Sequence, residues 1–232
     1  NRWQLFNTDH ELITVEYDVY AYDLSVRGAY VDQTRLYVNP ACVCLALQDQ
    51  AQSPCEVELF LPDELKHFQL ATGLPSKSLV KGRFTLKADH YDQLIDSPFE
   101  LAEQTRFAFD AQGIAHEFVI SGKHNANIKR LKTDIEKICQ TKIALFGSAP
   151  FQNYTFMTMA TGNSYGGLEH CNSTSLITPR EDLPKANEAQ EPSKDYQRFL
   201  GLCSHEYFHA WLVKFIRPEN FINYDLQQES YT

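Results

Sequence analysis

Apolar and polar residues alternate through residues 11–21: Ile13, Val15, Tyr17, Val19 and Ala21 share one face, and Leu12, Thr14, Glu16, Asp18 and Tyr20 the other. A period of two predicts a half-buried strand. Short β-like runs follow at 35–38, 42–47 and 57–61, divided by Asn39-Pro40, a Gln-rich stretch and Pro62-Asp63. Together they read as an antiparallel β domain. The segment YDQLIDSP ends in Pro98, which discourages continuation of a regular element. The domain boundary is set there, giving an N-terminal domain over 1–97 and a second over 98–232.

Past that boundary, runs at 106–110 and 116–120 flank Gln112-Gly113 and predict a hairpin. The period then changes. Ile128, Leu131, Ile135 and Ile138 stand three, four and three apart with charged residues between them, the spacing of an amphipathic helix. Residues 154–161, rich in aromatic and β-branched side chains, predict a strand running into Gly166-Gly167. A polar loop over 180–195 includes Ser193, suited to cap a helix whose apolar surface carries Tyr196, Phe199, Leu200, Cys203, Phe208, Trp211 and Phe215. The predicted class is α+β.

Composition matters chiefly for what it excludes. The 232 residues, 43% hydrophobic and 22% charged, suit one or two globular domains. Against 30 Asp+Glu there are 21 Lys+Arg, a net charge of −9 whose field repels phosphate backbones and anionic lipid. Neither nucleic acid nor a membrane is an expected partner. The longest stretch without formal charge, 143–168, is broken by Gly147, Pro150, Asn153, Gly162 and Asn163, so it does not read as a membrane helix. Six cysteines form no CxxC pair and sit mostly in apolar runs, which predicts buried thiols in a reducing, cytoplasmic setting; a Cys42–Cys55 bridge stays open. The chain begins at Asn1 without the charged and then apolar run of a signal peptide, and its natural start is expected upstream.

The last predicted helix contains His205-Glu206-Tyr207-Phe208-His209, an HExxH motif. At 3.6 residues per turn both imidazoles lie on one face and can reach one metal ion. Zinc suits the pair, because a tetrahedral ion held by neutral imidazoles can keep a position open for water. Glu206 would then accept the proton of that water as it attacks a carbonyl. Burying three ionisable side chains on an apolar helix is costly unless they pair or bind metal, which favours a metal site over coincidence. Two histidines leave the ligand set incomplete. Asp225 and Glu229 are the acidic residues downstream, and Glu229 is the in-chain candidate, weighed against a plain surface glutamate.

A second feature is Gly166-Gly167-Leu168-Glu169-His170. Two glycines let another backbone approach, here a peptide lying as an added strand, and Glu169 beside it could hold a free α-amino group.

GGLEH, SHEYFHAW, VKFIRPENF and YDLQQESYT together resemble the glycyl aminopeptidase family of zinc metallopeptidases, whose bacterial members often carry a downstream PDZ domain. Upstream, DLSVRGAY, ATGLP and YDQLIDSP look like segments of that family's N-terminal β domain. The resemblance implies a β domain followed by a thermolysin-like, gluzincin-type catalytic domain. It also implies His205 and His209 as zinc ligands, Glu206 as general base, and Glu169, with Gly166 and Gly167, as the substrate-binding strand. His170 stands where related aminopeptidases carry asparagine, which leaves exo- and endopeptidase readings open. The family's third ligand, a glutamate in W-x-x-E-G, is expected beyond Thr232. On that reading these residues alone are expected to be inactive and to expose the apolar face around Trp211 and Phe215, favouring self-association. The expected activity is release of N-terminal glycine or alanine from peptides; a peptide-binding module without catalysis is the alternative from another class.

Overall fold

A computed structural model describes residues 3–4, 12–186 and 191–219. In chain order its elements are strands β1 (Ala29–Val31), β2 (Arg35–Val38), β3 (Cys55–Phe60), β4 (Gln69–Thr72), β5 (Ser76–Val80) and β6 (Arg83–Ala88), helix α1 (Tyr91–Ile95) and strand β7 (Phe99–Ala102). There follow β8 (Thr105–Ala111), β9 (Ile114–Ser121), helix α2 (Ile128–Phe146), β10 (Asn153–Thr161), β11 (Gly166–Glu169), β12 (Ser173–Pro179) and helix α3 (Lys194–His209). The α+β class holds.

The N-terminal part is antiparallel throughout, in one sheet ordered β1-β2-β7-β4 and another ordered β3-β6-β5. Leu74, Leu86, Leu94 and Phe99 form one of its cores and Leu61, Phe68 and Leu101 another. Strand β7 lies after Pro98 yet pairs with β2 and β4, so strand pairing carries this domain to Ala102 rather than to 97. The proline stops only α1.

Two expected strands are absent. Residues 12–21 form no regular strand and are mostly exposed, with the Tyr17 hydroxyl donating to the Val43 carbonyl. Alternation specifies an extended chain, but a strand also needs a neighbour to share its hydrogen bonds. The run expected at 42–47 is replaced by a turn of 3-10 helix at Pro40–Cys42, because the Asn39 side chain accepts the Ala41 N–H and starts it.

The second part holds a mixed five-stranded sheet ordered β11-β12-β10-β9-β8, with β10 parallel to β9 and β12 and both outer pairings antiparallel. The β8–β9 hairpin turns at Gln112 and Gly113, both with positive φ (56° and 80°), as a two-residue primed turn requires. Helix α2 starts at the Asn127 cap and runs well past Ile138, because buried Cys139 and Ile143 continue the stripe of Leu131 and Ile135 until left-handed Gly147 ends it.

Helices α2 and α3 bury the main core with Phe118, Phe156, Tyr196, Phe199 and Tyr207. Trp211, expected to be uncovered, is buried: its ring stacks on Phe146 and its Nε1 donates to the Ser148 carbonyl at 2.7 Å. Phe215 is exposed. No helix among the described residues is long and apolar enough to cross a membrane.

All six cysteines are free, and Cys42 donates instead to the Arg27 carbonyl. Only Cys139 and Cys203 are fully buried, fewer than the apolar context of the cysteines suggested.

The two parts are fastened to each other. Ion-paired Arg35 and Glu100 are buried, and Glu100 also accepts from Ser121 of β9 at 3.1 Å. Ala71, Val119 and Met157 close an apolar contact between the sheets.

Candidate active site on helix α3 and edge strand β11

Ser193 caps α3 by accepting the Tyr196 N–H, which fixes where the helix starts and so the phase of its faces. Tyr196, Phe199, Leu202, Cys203 and Tyr207 are turned into the core. Two polar contacts hold that rotation: the Tyr196 hydroxyl donates to Asp134 of α2 at 2.8 Å, and the Tyr207 hydroxyl meets His116 Nε2 at 2.8 Å. The opposite face carries His205 and His209, whose Nε2 atoms lie 3.1 Å apart.

His209 Nδ1 lies 2.8 Å from the Leu212 carbonyl. A carbonyl only accepts, so Nδ1 is the donor there, and in the neutral ring Nε2 is the nitrogen that can ligate a metal. Two imidazole nitrogens converging from one helix face, with the His209 ring anchored at its far nitrogen to a carbonyl, fit a divalent zinc ion. Glu169, Glu206 and His209 each offer a ligand-type atom within 4.8 Å of the others. Burial pushes the Glu206 carboxyl up to about 6 and the neighbouring Glu169 adds to the rise, while His209 and Arg27 oppose it. The in-chain candidate Glu229 lies outside the described residues, as do Asp225 and Thr232, the residue beyond which the family resemblance puts the third ligand.

Strand β11 is the edge of the sheet, paired on one side only, with Gly167 opposite Leu176 and Glu169 opposite Thr174. Gly167 is where the helix meets this edge. A Cβ there would overlap the Glu206 carboxylate and come within 2.5 Å of its Cγ and Cδ, so only glycine lets Glu206 lie against the strand. Gly166 is less constrained, since a Cβ there would come no nearer than 3.8 Å to the Ile177 side chain. The structure thus brings Gly167, Glu169, His205, Glu206 and His209 together.

A profile of the Peptidase M61 N-terminal domain matches residues 1–103, and a profile of the M61 glycyl aminopeptidase matches residues 198–232, which include the HExxH motif. The chain belongs to the M61 peptidase family.

A solved aminopeptidase N family protein from Idiomarina loihiensis is 48% identical, with a TM-score of 0.87 over 92% of this chain and 36% of that one. The chain therefore spans about a third of that relative's length. Two further structures share the fold at low identity. Legionella pneumophila aminopeptidase A in complex with aspartic acid has 14% identity and a TM-score of 0.57, over 80% of this chain and 23% of that one. The M1 zinc metallopeptidase from Deinococcus radiodurans has 13% identity and a TM-score of 0.51, over 84% of this chain and 44% of that one. The search of curated proteins gave no match. The fold is that of an N-terminal β domain followed by a gluzincin-type domain.

In this M61 chain the structure also reveals a residue that motif reasoning passed over. Asp96, in the YDQLIDSP segment, follows α1 and reaches across to the catalytic part. One carboxylate oxygen lies 3.1 Å from His170 Nδ1 and 2.7 Å from Lys214 Nζ, and the other accepts the Cys171 N–H at 2.9 Å. His170, the residue after Glu169, is buried, and its contact with Asp96 braces the end of β11. Lys214 ties the same carboxylate to the turn that leaves α3. Burial pushes the Asp96 carboxyl up, but the His170 hydrogen bond and the His170 and Lys214 charges outweigh it and hold it well below the usual carboxylate range.

A folded-state pKa depressed in this way adds stability that is present above the unfolded value of about 4 and lost as pH falls through the folded one. Asp96→Asn is expected to cost about 2–3 kcal/mol at pH 7, the scale of a partly buried charged hydrogen-bond network. It should also flatten the loss of stability below pH 4. Urea unfolding of both proteins at pH 7 and pH 3 checks this; equal pH dependence would contradict it.

Proposed function

We propose that the full-length protein is a zinc aminopeptidase that releases small N-terminal residues such as glycine or alanine from peptides. The carrying observation is the convergence of the His205 and His209 Nε2 atoms on one helix face, with Glu206 and Glu169 beside His209 at an open sheet edge. His205 and His209 would hold the ion, with a third protein ligand completing the set. A bound zinc ion supplies Lewis acidity and lowers the pKa of a water molecule.

The remaining chemistry falls to this chain's own groups. The peptide adds as a strand alongside β11, its backbone able to approach because Gly166 and Gly167 carry no side chains. Glu169 receives the positively charged α-amino group through a charge-assisted hydrogen bond, which sets the scissile carbonyl one residue in. Glu206 takes a proton from the attacking water and delivers it to the leaving amine. Burial against Gly167 raises the carboxyl's proton affinity toward the range such a shuttle uses.

Comparing one alanyl peptide with a free amino end and the same peptide acetylated tests the reading. The free peptide should be cleaved and the blocked one left intact. Glu169→Gln should raise KM about tenfold or more for the free peptide, the scale of a lost charged hydrogen bond, with a smaller change in kcat. Equal cleavage of both peptides would make the enzyme an endopeptidase.

A further inference from the structure

One carboxylate of the N-terminal domain touches two segments that frame the site. Asp96 is the C-cap residue of α1, and the segments it reaches lie far apart in the sequence. The first is the turn from β11 to β12. Side chains alternate along a strand, so Glu169 turns to α3, with a carboxylate oxygen within 4.8 Å of Glu206 and His209, while His170 turns away to Asp96. The buried His170 ring has no hydrogen-bond partner for its Nε2 among the described residues, so Asp96 is the polar group that orients it. Asp96 also accepts the Cys171 N–H, and Asn172 Nδ2 donates to the Gly73 carbonyl at 2.7 Å. The residues that follow Glu169 are thus seated on the N-terminal domain.

The second segment is the turn that leaves α3. The Val213 and Lys214 N–H groups both donate to the His209 carbonyl at 3.0 Å, which folds the chain back and brings the Leu212 carbonyl to His209 Nδ1. Leu212, Val213, Phe215 and Ile216 are exposed, so apolar burial does little to hold this turn. Lys214 Nζ ties it to Asp96 at 2.7 Å. The group on the far nitrogen of a metal-binding imidazole sets the ring's orientation, so what steadies the Leu212 carbonyl steadies His209.

We propose that Asp96 is a positioning residue for the peptidase site. Through His170 it holds the end of β11 that presents Glu169, and through Lys214 it holds the turn whose carbonyl aims His209. The branch to Glu169 rests on the aminopeptidase reading above, whereas the branch to His209 needs only zinc binding.

The test compares full-length wild type and variants by zinc affinity, from competition with a chelator, and by KM for an alanyl peptide at saturating zinc. Lys214→Met keeps the stem and removes the charge. It should weaken zinc binding about tenfold, the low end for groups that orient a ligand, and leave KM within about twofold. His170→Phe keeps the ring and removes its contact with Asp96, so KM should rise about fivefold while zinc affinity stays at the wild-type value. Asp96→Asn should move both readouts, and on the Lys214→Met background it should cost no further zinc affinity, because the two groups form one contact. Leu61→Ala, in a core cluster of the N-terminal domain, should lose stability and move neither readout.

Unchanged zinc affinity and KM in Asp96→Asn, or the same joint change in every variant including Leu61→Ala, overturns the proposal. If Asp96→Asn does not fold, Lys214→Met and His170→Phe decide, and failure of their two readouts to separate overturns it. If wild type binds zinc but cleaves no peptide, the aminopeptidase reading fails and the zinc measurement decides by itself: wild-type affinity in Lys214→Met overturns the positioning role. A wild type that binds no zinc overturns both readings.

Discussion

Glu206→Gln in the full-length protein is expected to lower kcat by about a thousandfold, within the range that a positioned general base contributes. The substitution keeps the size and shape that let residue 206 lie against Gly167, so α3 and the edge strand should stay in register. It removes the one property that matters here, the ability to take a proton and return it. KM should change little, because the amide makes no new contact with the peptide. Zinc content by elemental analysis should remain one per chain, which separates a base from a ligand. If the variant hydrolyses alanyl peptides near the wild-type rate, Glu206 is not the base. If it loses zinc, Glu206 is a ligand, and the division of roles among Glu169, Glu206 and His209 has to be redrawn.

His209→Ala should be at least as damaging, by another route. Its Nε2 lies 3.1 Å from that of His205, and its ring is oriented by the Leu212 carbonyl, so removing it takes away both a lone pair and the geometry that aims it. Zinc affinity is expected to drop by more than about a hundredfold, since disturbing even the groups that orient a ligand costs ten- to a hundredfold. Dialysed protein should then carry far less than one zinc per chain, and activity should fall in proportion. The fold should survive, because His209 is on the open face and the core side of α3 is carried by Tyr196, Phe199, Leu202, Cys203 and Tyr207. Retention of full zinc content by the variant would locate the metal elsewhere.

Local rules accounted for much of the fold. The three-and-four spacing at Ile128, Leu131 and Ile135 marked a helix, the Gln112-Gly113 pair marked a hairpin, and Ser193 marked the start of α3, because each depends on neighbours within a few residues. The HExxH spacing likewise determined that His205 and His209 share one face, since helix geometry alone places them there. The alternation at 12–21 misled for the complementary reason: an extended sequence becomes a strand only when another segment pairs with it.

Other features of the site arise from contacts between distant residues. Gly167 shows in the sequence as a flexible position, but its need to be glycine comes from Glu206, which the tertiary packing sets against it. Asp96 belongs to a segment with no catalytic signature, and neither its spacing nor its type foretells its place beside the site. Asp96 meets His170 and Lys214, and Tyr37 joins the loop of Arg27 to Ser175, only because the N-terminal domain docks against the five-stranded sheet. Which groups could do chemistry together on α3 was determined by sequence alone, through a period set by backbone hydrogen bonds. Docking of the two domains, driven by buried apolar surface and a few polar fasteners, decided which charges from elsewhere in the chain surround them.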